Sequence, residues 1–243
     1  MKSLRIGIIP VLFLLMVTAC SSYPEYGHGS TGTDTVLMAA PFRGGGSEHA
    51  GETRVGAQIA LGTLYNSQDF NGLVRASIQR GDNLGWVGFT CGASGFGGLY
   101  TATSGTRSYF GGSIHGAAML IIPFTAVELR LLGFQAALSY EGGDFHDFRQ
   151  EAEDIDNLAP DPFLIGFGAF TEVCVRLGDT VRLGLRGGLG GAQSDFQSGV
   201  SPMPAGTVGA YLTIDPITAW LQAGITLDTN RPAFALGVAY RLF

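Results

Sequence analysis

Ser113-Ile114-His115 sets a hydroxyl and an imidazole two residues apart, with Glu128 a short distance downstream. Residues two apart share a face of a strand. Ser113 and His115 could therefore work as nucleophile and base, with Glu128 on the next strand orienting the ring. The competing use of such a histidine is as a hydrogen-bonded filler of an interior. A second group is ionic: Arg75, Glu128, Arg130, Glu172, Arg176, Arg182 and Arg186 all fall on the less apolar parity of alternating segments. Buried charges must pair or each costs several kcal/mol, so these residues predict an ion-pair plug inside the fold. The alternative is a narrow path for small anions, lined by the surplus arginine. A third group is the run from Glu141 to Pro162, with eight carboxylates against Arg149. Clustered carboxylates can hold Ca²⁺ or Mg²⁺, and Asp144, Asp147, Glu151 and Asp154 are the candidates for a divalent cation at this loop. No Asp-x-Asp-x-Asp-Gly run occurs there, and plain solvation of an exposed loop explains the charge equally. There is no phosphate-binding glycine loop, zinc spacing or cofactor motif, so no cofactor is expected.

These residues sit on segments that alternate with a period of two, the signature of half-buried strands. Val55, Ala57, Ile59, Leu61 and Tyr65 oppose Arg54, Gln58 and Gly62. Phe70, Val74, Ala76 and Ile78 oppose Asn71, Arg75, Ser77 and Gln79. Further strands are expected near 84–94, 107–122 and 126–140, the last with a change of parity at Leu131-Leu132-Gly133 that suggests a β-bulge. Phe163 to Leu177 and Val181 to Leu189 alternate strongly, and strands near 206–214, 217–227 and the C-terminus complete ten. Eight or twelve are the alternatives. Connections near 81–84, 123–125, 178–179 and 215–216 are tight, whereas those near 95–106, 141–162 and 193–205 are long. Short turns on one rim and long loops on the other is the pattern of a membrane barrel. An even count returns both ends of the chain to the short-turn rim. The fold expected is therefore all-β: an antiparallel, up-and-down, transmembrane-type barrel over residues 53–243. A soluble β-sandwich would also alternate, but its polar side would carry more Lys and Glu.

Composition points the same way. Hydrophobic residues make up 46% of the 243, there are 38 glycines, and charged residues are only 14%, against about 25% charged and about 7% Gly in ordinary domains. Without residues 1–19 the chain loses Lys2 and Arg5, leaving 12 bases against 20 acids and a net charge of -8. Nucleic-acid binding depends on cationic neutralisation, so no nucleic-acid partner is expected. Lys2 is the only lysine, so every later cation is Arg. Cys91 and Cys174 fall on different strands and opposite parities, which excludes a disulfide between them.

The N-terminus has the layout of an export signal: Lys2 and Arg5, an apolar run from Ile6 to Met16, then small residues. That run is too short to span a bilayer as a helix, which needs about 20 residues. Val17-Thr18-Ala19-Cys20 resembles the lipobox of bacterial lipoproteins. The resemblance implies a signal peptide over 1–19 and lipid (palmitate included) on Cys20; an ordinary signal peptide with an incidental cysteine is the alternative. Ser21 and Ser22 follow, with no Asp at the second mature position, which by the same resemblance implies sorting to the outer membrane. Residues 20–52, rich in Gly, Ser, Thr and Pro, read as a flexible periplasmic tether. The C-terminal run Phe234 to Phe243 is similar to the closing strand of outer-membrane barrels, although Arg241 stands where that family carries a large apolar residue. Some outer-membrane lipid A deacylases use His-x-Ser with a Glu; here the order is reversed and the flanks differ. The chain is thus expected to be an outer-membrane lipoprotein barrel with a structural or surface-interaction role, its periplasmic N-terminus lipid-anchored. The partners implied are outer-membrane lipid and the barrel-assembly and lipoprotein-sorting machineries. A hydrolase acting on lipid or peptide through Ser113 and His115, or a narrow small-solute pore, are the alternatives.

Overall fold

The computed structural model describes residues 51–62, 70–102, 104–151, 162–193, 203–226 and 232–242. Tyr65, residues 1–50 with Cys20, and Asp154 lie outside them, and the last residue expected in the tether, Glu52, is the first of β1. Ten antiparallel strands form one closed barrel: β1 (Glu52–Gly62), β2 (Phe70–Leu84), β3 (Val87–Ala102), β4 (Gly105–Pro123), β5 (Val127–Gly142), β6 (Phe163–Arg176), β7 (Val181–Gln193), β8 (Met203–Ile214), β9 (Ile217–Thr226) and β10 (Pro232–Arg241). Each strand pairs with its neighbours in the chain, and β1 closes on β10 with Arg54 opposite Arg241. Closure leaves no edge unpaired, the condition for backbone in lipid.

The expected alternation becomes an inside and an outside. Outward positions are apolar around the whole circumference, including Ile59, Val74, Ile114, Leu185, Leu221 and Leu236, all exposed. Exposed aromatics ring both ends: Trp86, Phe124 and Tyr240 near the tight turns, and Phe70, Phe110, Tyr140, Phe163 and Phe234 toward the other rim. An apolar band between aromatic girdles is the surface a lipid-spanning barrel presents. Among the described residues, the only charges on outward strand positions are Arg80 and Asp82, within the last turn-side residues of β2. The bulge stands where the parity change put it: pairing of β5 slips between Arg130 and Gly133, leaving Leu131 and Leu132 both outward and exposed. Cys91 faces outward, Cys174 is buried inside, and both are free.

Three boundaries differ from expectation. The 81–84 segment is strand, and the turn falls at Gly85-Trp86, where Gly85 takes φ +67, a conformation that glycine adopts without strain. The connection expected over 95–106 is mostly strand too. β3 and β4 pair from Val87–Leu120 up to Ala102–Gly105, so this hairpin is long and its turn short. Gly95, Gly97 and Gly98 hid the alternation there, because they carry no side chain to mark a face. Finally, the acidic run after β5 is not wholly irregular. Helix α1 (Asp144–Glu151) opens from Gly143, whose carbonyl accepts from the Asp147 amide at 3.1 Å. Asp144 and Asp147 lie in its first turn, where the helix dipole favours carboxylates.

Candidate functional site

The interior is layered. At the tight-turn end lies an ionic floor. The Arg130 guanidinium donates to Glu128 at 2.9 Å and to Glu172 at 2.6 Å. Arg176 donates to the other Glu128 oxygen at 2.8 Å, and the Tyr211 hydroxyl donates to Glu172 at 2.7 Å. Glu128, Arg130 and Glu172 are almost wholly buried. β5, β6 and β8 converge here because Arg130 pairs with Glu172 across the bulged β5–β6 ladder. The floor continues across β1 and β9: Arg54 pairs with Glu52 and donates to Thr218 at 2.7 Å, and Thr218 is fully buried. At the rim, Arg241 pairs with Asp215 at 2.5 Å.

The other end is an aromatic cap. Phe145 of α1 is fully buried against the rings of Tyr100 (centroids 4.6 Å) and Tyr109 (6.2 Å). Leu73, Phe96, Ala60 and Ala235 complete the cluster. Ser108 donates to Asp144 at 2.6 Å, and the Arg107 guanidinium lies 3.8 Å over the Phe148 ring. The helix therefore stoppers the β1–β5 side of the barrel mouth.

Between floor and cap the wall is polar on one side and glycine-rich on the other. Ser77, Ser94, Ser113 and Ser139 are direct partners in one row across β2 to β5, and Ser94 and Ser113 share a hydrogen bond of 2.7 Å. Opposite, glycines take several of the inward positions of β6 and β7 above the floor, Gly166, Gly168, Gly188 and Gly190, alongside Phe170 and Arg186. Inward rings lie over glycines on the facing strand. A Cβ on Gly98, Gly111, Gly133, Gly184 or Gly237 would strike Tyr109, Phe96, Phe170, Tyr211 or Trp220 respectively, and one on Gly92 would strike His115. Each of these pairs is a direct cross-strand pair, so the glycines are there to seat the rings.

The sequence-derived candidates fare differently. Arg75, Glu128, Arg130, Glu172, Arg176, Arg182 and Arg186 do all take inward positions. Glu128, Arg130, Glu172 and Arg176 meet in the floor, whereas Arg75 lies on the cap side, 5.6 Å from the Phe96 ring, and Arg186 donates to Gln135 at 2.7 Å and stacks 3.5 Å over Phe170. The catalytic grouping is not assembled. Ser113 bonds to Ser94, the Nδ1 of His115 has no hydrogen-bond partner, and Glu128 is held in the floor. His115 pairs with Ala137 whereas Glu128 pairs with Pro123. That register puts the two about nine residues apart along the strands, or about 30 Å, so Glu128 cannot orient His115. Among the described residues no group of three His, Cys, Asp or Glu side chains could hold a metal ion; Asp144 is engaged by Ser108. Pairing across strands also supplies what sequence reading passed over: the serine row, the Tyr211 hydroxyl in the floor and Phe145 in the cap.

No family model matches the chain, and no curated protein matches it in sequence. Solved structures similar to it are barrels. Neisserial surface protein A is 15% identical, covering 79% of this chain and 95% of its own, with a TM-score of 0.39. The translocator domain of the autotransporter NalP from Neisseria meningitidis is 9% identical over 80% and 89%, with a TM-score of 0.44. The transport unit of the autotransporter AIDA-I from Escherichia coli is 11% identical over 90% and 99%, with a TM-score of 0.38. The barrel assignment rests on this chain's own strand pairing.

Proposed function

We propose that this chain is a bacterial outer-membrane barrel anchored in addition by a lipid on Cys20, with a structural or surface-interaction role. The observation that carries the reading is the apolar outer face, which runs around ten strands between two aromatic girdles and, among the described residues, keeps its two charges at one rim. Such a face in water would be an aggregation surface far beyond what soluble monomers expose. The first residues of β1 and the last of β10 lie together at the tight-turn rim, which supports a tether that starts on the periplasmic side. The lipobox-like Val17 to Cys20 supports the anchor, and lipoprotein-sorting and barrel-assembly machineries are the partners this implies. The floor of buried Glu128, Arg130 and Glu172 argues for a rigid barrel rather than a through-going conduit. Fractionated cells test the reading: the protein is expected in outer membranes and to resist carbonate extraction, and recovery from the soluble periplasm would overturn it. Cys20→Ser is expected to abolish incorporation of labelled palmitate while leaving the barrel in the membrane. Continued labelling of that variant would remove the anchor from the account.

A further inference from the structure

The space between floor and cap is neither packed nor neutral. His115, Gln135, Ser94 and Thr207 point inward at mid-barrel, yet each is partly exposed. In a closed barrel, exposure of an inward residue means room beside it for solvent. Below them Glu128, Arg130, Glu172, Tyr211 and Thr218 are buried and close the space toward the turn end. Gly166, Gly168, Gly188 and Gly190 on β6 and β7 leave width beside Phe170 and Arg186 that side chains would otherwise fill.

One cation borders this space without a carboxylate of its own. Arg186 is 5% exposed, and among the described residues its one hydrogen bond goes to the neutral amide of Gln135. A guanidinium has five N–H donors. Glu172, directly across the ladder from Arg186, accepts from Arg130 and Tyr211 on one oxygen, and among the described residues no carboxylate is ion-paired with Arg186. The next positions in that row toward β9 are Gly209 and then Gln222, so nothing charged stands between Arg186 and the open space on that side. Two further polar atoms facing the lumen, the Thr90 hydroxyl and the Trp220 indole N–H, are buried without a hydrogen-bond partner. Buried polar groups are normally satisfied, and orphans of this kind call for a bound species.

We propose that this chamber is a blind binding pocket for a small organic anion, a carboxylate bearing hydroxyl groups. Arg186 receives the carboxylate, because the guanidinium fork matches that group and a desolvated charge-assisted bond is strong. The serine row and Thr207 supply donors and acceptors for the hydroxyls. Pockets at barrel mouths are a recurrent place for small ligands. The pocket is independent of where the barrel resides, so its failure would leave the membrane reading intact.

Trp220, inward beside Tyr211 at the edge of the floor, is the reporter. The chain has two tryptophans, and Trp86→Phe removes the one in the outer girdle. The probe is iodide, a small anion that quenches indole, with caesium as its cationic counterpart. In the purified full chain carrying Trp86→Phe, iodide is expected to quench Trp220 at least about threefold more steeply than caesium, since a cationic cleft concentrates anions. Sodium gluconate should protect Trp220 from iodide, and mannitol should not. Arg186→Gln should bring the two quenchers level, while Arg186→Lys should keep most of the preference. If Arg186→Gln does not assemble, Thr207→Phe, which fills the chamber and leaves the floor untouched, decides: iodide quenching should fall away. Equal quenching by iodide and caesium, no quenching by either, or no protection by gluconate would each overturn the proposal.

Discussion

At the residue scale, the parity of each charged residue was legible and its partner was not. Alternation alone put Arg75, Glu128, Arg130, Glu172, Arg176, Arg182 and Arg186 inside, because a strand repeats every two residues. Which acid meets which base depends on register and on the β5 bulge, and neither is written in one strand's own sequence. The same limit hid the rings over glycines, since Gly133 and Phe170 are far apart in the chain and adjacent only across the ladder. Two substitutions test these contacts. Glu172→Ala removes the acceptor shared by Arg130 and Tyr211 and leaves a buried cation short of its partner. It is expected to cost about 3–5 kcal/mol, read as an earlier urea midpoint of the folded barrel. Gly133→Val drives methyl groups into the Phe170 ring, itself pinned under Arg186. Overpacking of that kind costs about 1–3 kcal/mol, and an unchanged midpoint would show that the ring has room to move.

At the element scale, strands with a bulky residue at every second position were readable, and two kinds of segment were not. Where β3 and β4 rise above the band, glycines replace the outward residues that would mark a face, so the strands read as a long loop. Helix α1 failed to register because polar residues fill six of its eight positions, and only Phe145 and Phe148, three apart, turn toward the barrel. Three apart is one helical face, a signal too short to stand out in an acidic loop. Phe145→Ser is expected to detach α1 without opening the barrel. Limited proteolysis should then cut within residues 144–151 faster than in the parent, while the ten strands stay protected. Equal cutting rates would show that α1 is held by something other than its ring contacts with Tyr100 and Tyr109.

At the scale of the whole molecule, the number of strands, their closure and the position of both ends followed from counting connections, since an even antiparallel meander must return to its starting rim. The interior did not follow, because the same inward residues would suit a plug or a path until their packing was known. With Ile121, Glu128, Arg130 and Thr218 all buried at the turn end, planar bilayers containing the purified protein are expected to show no steady conductance steps; regular ohmic steps would mean the floor opens. The outer face makes a sharper claim. Leu185, exposed at mid-band, meets lipid on this account, and an Arg at the midplane of such a face costs about 2–4 kcal/mol. Leu185→Arg should therefore lower the yield of inserted protein more than Thr207→Arg at an inward position. The measurement that bears most directly on the closed membrane barrel is heat-modifiable migration of the protein from isolated outer membranes. An unheated sample should run as a compact, fast band that boiling converts to the slower position of the full-length chain, and deletion of Tyr240 to Phe243, which breaks the β1–β10 seam, should abolish the fast band. A single position before and after boiling, unchanged by that deletion, would contradict the barrel.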